Sequence, residues 1–129
     1  MRTLLILSAA VLAAAPAASA DRSKDAAAIA RATAGRTAGT PVDCITRTRT
    51  GGDFQVAGRT LIFKSDSRVT YLNEVSPGCN TGLSRQTLVF RSISTSRLCK
   101  GEIAEAVDPL GGAAGGSCTL GQFVPYTRP

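Results

Sequence analysis

Hydrophobic and polar positions divide the chain into three textures. Residues 4 to 15 form one apolar run interrupted only by Ser8, residues 21 to 40 are Ala-rich without an aromatic side chain, and from Pro41 onward short β-prone runs alternate with turn residues. The last pattern predicts strands. Cys44 to Arg49 opens the series, and Thr50-Gly51-Gly52-Asp53 punctuates it. Phe54 to Ala57 then meets Gly58-Arg59, and Thr60 to Lys64 alternates so that Leu61 and Phe63 share one face. Ser65-Asp66-Ser67 is a short polar turn, which makes Arg68 to Asn73 the hairpin partner of the preceding run.

Ser76 to Gly82 is a loop rich in residues that accept special backbone angles, and it leads through Leu83 to a strand over Thr87 to Ile93. Leu98 to Val107 is compatible with strand or helix; its strand neighbours and the bounding Gly101 and Pro109 favour strand. Gly111 to Gly116 reads as a mobile loop, because glycine loses the most backbone entropy on ordering. Ser117 to Tyr126, with Leu120, Phe123 and Val124, is expected to close the sheet. The fold class is therefore all-β: a small antiparallel barrel or sandwich of about six short strands.

The first apolar run follows Arg2 and is about 12 residues long, whereas a spanning helix needs roughly 20. Pro16 and then Ala18-Ser19-Ala20 follow it, with small side chains where signal peptidase inspects them. Residues 1–20 are thus expected to be a secretory signal peptide cleaved between Ala20 and Asp21, leaving no transmembrane segment in the mature chain. Residues 21–40 are read as a tether, partly helical or disordered, since Ile29 is their one large apolar side chain. Residues 41–129 are the β domain.

The mature chain of about 109 residues suffices for one core. Without Arg2 it carries 14 basic and 9 acidic residues, a net charge of about +5. Such a balance attracts anionic lipid headgroups or acidic polymers. The charges are spread singly, however, at Arg47, Arg49, Arg59, Lys64, Arg68, Arg85, Arg91, Arg97 and Lys100, as on ordinary solvated strands.

Cys44, Cys79, Cys99 and Cys118 are an even set in a small exported chain, which reads as two disulfides among three pairings. Gaps of 34, 19 and 18 residues and the lack of any histidine argue against zinc. The same lack removes the commonest general base. Carboxylates remain, chiefly Asp43, Asp53, Asp66, Glu74, Glu102, Glu105 and Asp108, with Glu102 and Glu105 the one close pair of possible acid–base interest; on a strand these point to opposite faces. No P-loop lysine follows the glycines. Neither a catalytic residue nor a cofactor or metal ligand is expected. Tyr71, Phe63 and Phe90 stand among Arg68, Lys64 and Arg91, as in single-stranded nucleic-acid readers. Core packing explains the aromatics with fewer assumptions, and export argues against a nucleic-acid target.

Ala34 to Ile45, Tyr71-Leu72-Asn73, Leu98-Cys99 and Leu120 to Tyr126 together resemble a family of small exported proteins of alphaproteobacteria, sphingomonad-like, without an assigned function. The resemblance spans roughly residues 33 to 127. It carries no catalytic or ligand residue. Relatives keeping only the cysteines matching Cys44 and Cys99 imply the pairings Cys44 with Cys99 and Cys79 with Cys118.

The expected function is that of a non-catalytic periplasmic or secreted protein that contacts an anionic envelope component or another protein through its basic residues. The alternative is a small periplasmic hydrolase or thiol-redox enzyme, which a cleft shared by Glu102, Glu105 or Asp108 would favour. Inhibition of a basic lysozyme is electrostatically awkward for a chain that is itself basic.

Overall fold

The computed structural model describes residues 18–47, 54–79, 87–94, 96–107, 110 and 115–129. One helix, α1 (Ala18–Thr33), is followed by ten strands: β1 (Thr37–Ala38), β2 (Cys44–Thr46), β3 (Phe54–Ala57), β4 (Thr60–Lys64), β5 (Val69–Glu74), β6 (Thr87–Arg91), β7 (Arg97–Cys99), β8 (Ile103–Val107), β9 (Ser117–Thr119) and β10 (Phe123–Thr127). They form three antiparallel sheets, ordered β1-β10-β5-β4-β3, β2-β7 and β6-β8-β9. The described residues are all-β with one helix. It is a small sandwich, not a closed barrel.

Alternation along β4 sets the layers. Leu61 and Phe63 face inward with Phe54 and Val56 of β3, Tyr71 of β5 and Phe123 of β10, and meet Ile45, Leu88, Leu98, Ala104, Ala106 and Cys118 from the smaller sheets. At the centre the Phe63 ring lies 5.7 Å from Phe123 and 5.6 Å from Phe54, and Phe54 lies 5.1 Å from Phe90. Tilted and edge-on ring pairs at such spacings add to what their area burial contributes. On the opposite face, Ala57, Ile62 and Leu72 receive Ala28, Ile29 and Ala32 of α1. The five-stranded sheet is thus the middle layer, with α1 outside it.

Several expected runs divide where the chain changes sheets. The β4–β5 hairpin forms as its polar turn predicts, Ile62 opposite Leu72 and Phe63 opposite Tyr71. Leu98 to Val107 is strand, but it breaks at Lys100-Gly101 into β7 and β8, which pair with β2 and β6 in different sheets. Ser117 to Tyr126 likewise splits: β9 pairs with β8, and β10 pairs with β5. The break is pinned by Asn73, fully buried, whose Nδ2 donates to the Gly121 carbonyl at 2.7 Å while Oδ1 accepts from the Gly121 N–H at 2.9 Å. A Cβ at position 121 would collide with the Glu74 carbonyl oxygen, so only glycine brings the backbone this close.

Residues 21–40 do more than tether the domain. The helix is continuous from Ala18 through the Ala20–Asp21 junction to Thr33, and β1 adds a strand to the edge of the five-stranded sheet. Gly39 N–H donates to the Pro125 carbonyl and Val42 bridges Phe123, after which β2 departs for the other layer. A helix poor in large apolar residues docks here because alanines let it approach closely; buried Ala28 meets buried Ala57 and Ile62. Most of the expected signal peptide, residues 1–17, lies outside the described residues, as do residues 48–53, 80–86 and most of the glycine loop at 111–114. The ends of that loop are fixed, since Gly115 N–H donates to the Ala106 carbonyl and Ala106 N–H to that of Gly116.

Candidate functional site

Cys44 is joined to Cys99 and Cys79 to Cys118, the pairing that the resemblance implies, with no free cysteine among the described residues. Cys44 and Cys99 face each other directly across β2 and β7. The flanking bonds, Lys100 N–H to the Asp43 carbonyl and Arg47 N–H to that of Ser96, make theirs a non-hydrogen-bonded pair, where opposed side chains come closest. Cys118 is buried in the main core, and Cys79 packs against it. Two such bridges suit an oxidising compartment.

The carboxylates are dispersed into separate structural contacts. Glu102 accepts from the Cys99 N–H at 2.7 Å and from the Ser92 hydroxyl at 2.7 Å, which caps the β7–β8 turn. Glu105 meets Arg91 at 2.9 Å on the exposed face of β6 and β8. The Arg91 hydrogen bond holds the Glu105 carboxyl below its usual range, and the same bond raises the Arg91 guanidinium. Glu74 pairs with Arg59 at 3.4 Å, and Asp43 accepts from Gln122 at 3.1 Å. Asp53 and Asp108 lie outside the described residues. The cleft that Glu102 and Glu105 would share in an enzyme is not formed by these two. Among the described residues, no three His, Cys, Asp or Glu side chains gather to hold a metal ion, and no helix is long and apolar enough to cross a membrane.

What the fold does assemble is a basic groove beside α1, on the outer face of the five-stranded sheet, about 470 Å³ in volume. Arg31 enters from the last turn of α1, Arg36 from the segment after it, Lys64 from the end of β4 and Arg128 from just beyond β10; Asp66 is the one carboxylate side chain among the lining residues. The walls are hydrogen-bonded together at one carbonyl, that of Arg68, which accepts the Arg36 guanidinium at 2.5 Å and the Arg128 N–H at 3.0 Å. Asp66 is occupied in shaping the β4–β5 turn, where Oδ1 accepts from the N–H groups of Arg68 and Val69 at 2.7 and 2.8 Å. Four cations against one carboxylate make the groove a focus of positive potential.

Of these four cations, Lys64 alone stands among the scattered basic residues singled out in the sequence. Arg31, Arg36 and Arg128 were missed because no local pattern connects positions 31 and 128; the sheet register and helix docking bring them together. Most of the scattered set lies elsewhere. Arg59 donates to the Val75 carbonyl at 3.0 Å, Arg91 is paired, and Arg97 and Lys100 are exposed on the β7 side, while Arg49 and Arg85 lie outside the described residues. The aromatics Tyr71, Phe63 and Phe90 are core residues, as the sequence reading preferred over base stacking: Phe63 is buried, and Tyr71 and Phe90 pack against the core.

The chain is a disulfide-stapled antiparallel β sandwich with a helix-flanked basic groove. It matches no protein-family model, and no curated protein or solved structure is significantly similar to it.

Proposed function

We propose that this is a non-catalytic binding protein of the bacterial periplasm or surroundings, and that it contacts an anionic component of the cell envelope through the groove beside α1. The single observation that carries the reading is the convergence of Arg31 and Arg36, Lys64, and Arg128 on one concavity from three separate stretches of the sequence. Solvated charge scattered by chance has no reason to gather around a groove. Export is supported by the signal-like sequence of residues 1–20 and by the two disulfides. The non-catalytic reading is supported by the dispersal of the described carboxylates into separate structural contacts.

The test is chromatography on immobilised poly-glutamate, with a neutral protein of equal size as reference. Retention is expected, falling steeply with added salt as exposed charges are screened. The double variant Arg31→Glu/Lys64→Glu should elute near the reference, while Arg97→Glu/Lys100→Glu, placed away from the groove, should lose far less. Retention no better than the reference, or equal loss from both double variants, rejects the groove as the contact surface.

A further inference from the structure

The ligand class follows from one unpartnered group on the floor of the groove. Two polar side chains of the described residues are fully or almost fully buried, Asn73 at 0% exposure and Thr70 at 2%. Their circumstances differ. Asn73 spends its amide on both backbone groups of Gly121. The Thr70 hydroxyl has no hydrogen-bond partner among the described residues, although its backbone pairs across β5 with Lys64 and Tyr126. A buried hydroxyl without a partner costs on the order of 1–3 kcal/mol, and native proteins keep few such groups without a reason.

Thr70 lies on the outer face of the sheet, two residues from Leu72, which packs beneath α1, and it lines the basic groove. Above it stand cations from three separate elements: Arg31 on α1, Lys64 on β4 and Arg128 beyond β10. Arg36 contributes charge from the wall but has turned its guanidinium to the Arg68 and Ser67 carbonyls. A planar carboxylate is met best by a single fork in its own plane. Donors arriving from a floor and several walls suit a tetrahedral anion, which offers oxygens in several directions. The lining cations exceed the lining carboxylate by three charges, which also favours a group able to carry two.

We infer that the groove seats a phosphoryl group, with the Thr70 hydroxyl donating to one oxygen and Arg31, Lys64 and Arg128 surrounding the rest. This rests on the proposed function and names its ligand chemistry. A groove of about 470 Å³ is far larger than phosphate alone and leaves room for the sugar or glycerol that bears it. The hydroxyl supplies short-range selection for an oxyanion, and the cations supply attraction.

The test is titration of the oxidised full-length mature protein with inorganic phosphate and with acetate, followed by amide chemical shifts, alongside the variant Thr70→Val. Valine keeps the β-branched shape in the strand, so the variant should fold, and an unchanged far-UV circular dichroism spectrum and Tm check this. Phosphate is expected to shift the Thr70 amide and to bind well ahead of acetate, and Thr70→Val should weaken it about tenfold. Phosphate no tighter than acetate, or equal phosphate affinity in the variant, overturns the phosphoryl assignment while poly-glutamate retention leaves the wider reading standing. A second arm separates sources: binding to phosphatidylglycerol over phosphatidylcholine vesicles that weakens in Thr70→Val places the phosphate on a lipid headgroup. Sensitivity confined to inorganic phosphate places it on a soluble ligand.

Discussion

The two faces of the five-stranded sheet are built from the same strands and have opposite characters. The inner face presents Phe54, Leu61, Phe63 and Phe123 to two further sheets, and both disulfides lie in the layer facing it. The outer face presents Ala57, Ile62 and Leu72 to one helix whose contacts are Ala28, Ile29 and Ala32. Large rings interlock and exclude space, while small side chains under a single helix cover only part of a sheet. The uncovered part, floored by Thr70 and Gln55 and walled by charge, is the groove. Close packing is concentrated on one side and the basic groove on the other, a division that can be broken one residue at a time.

The largest effect is expected from reducing both disulfides. They join residues 55 and 39 positions apart, and the chain-entropy account gives about 4 kcal/mol for each loop of that size. That is comparable with the whole stability of a domain this small, roughly 5–15 kcal/mol. Far-UV circular dichroism should show the strands lost on reduction; a reduced protein with the parent Tm would show that the inner packing holds the fold alone. Next comes Phe123→Ala, which empties a fully buried site touching the Phe63 ring and should cost about 3–5 kcal/mol by denaturant unfolding.

Asn73→Ala strands both Gly121 backbone groups in the interior, a loss of about 1–3 kcal/mol measured in the same way. Ile29→Ala is gentler, about 1 kcal/mol, because the side chain is only half-buried over the outer face. Its signature should be local: hydrogen exchange in α1 accelerates while that of β4 and β5 does not, and equal acceleration throughout would erase the distinction between the faces. The smallest effect belongs to Arg91 and Glu105. Their bond favours the ionised carboxyl in the folded state, so its contribution is present at neutral pH and is lost as pH falls through the lowered value. Glu105→Gln should therefore flatten the acid limb of a Tm-against-pH curve slightly, and high salt should remove the difference, as for any exposed pair.

Much of the strand pattern was legible because period-two alternation and polar turns are local signals. Leu61 and Phe63 do share the inner face, and Ser65-Asp66-Ser67 does close a hairpin, with Asp66 holding the turn through its side chain. The helix was legible as a helix but not as a docked one. Counting large apolar residues undervalued Ala28 and Ala32, which dock by letting backbones approach. The changes of sheet at Lys100-Gly101 and Gly121 were also hidden, since a break in one run takes its meaning from partners far along the chain. Of the groove, Lys64 had been noticed as one charge among many, and Thr70 had not been noticed, because a threonine in a strand is unremarkable until its surroundings are known.

By itself the sequence determined an all-β chain, an even set of cysteines, an excess of positive charge and no histidine. These follow from composition and neighbour spacing, which act over a few residues. Which cysteines meet, which strands share a sheet, and that four cations and one unpartnered hydroxyl surround the same hollow were decided by tertiary structure. Such meetings depend on loop closure, sheet register and the angle at which a helix rests on a sheet, and no local run of residues encodes them.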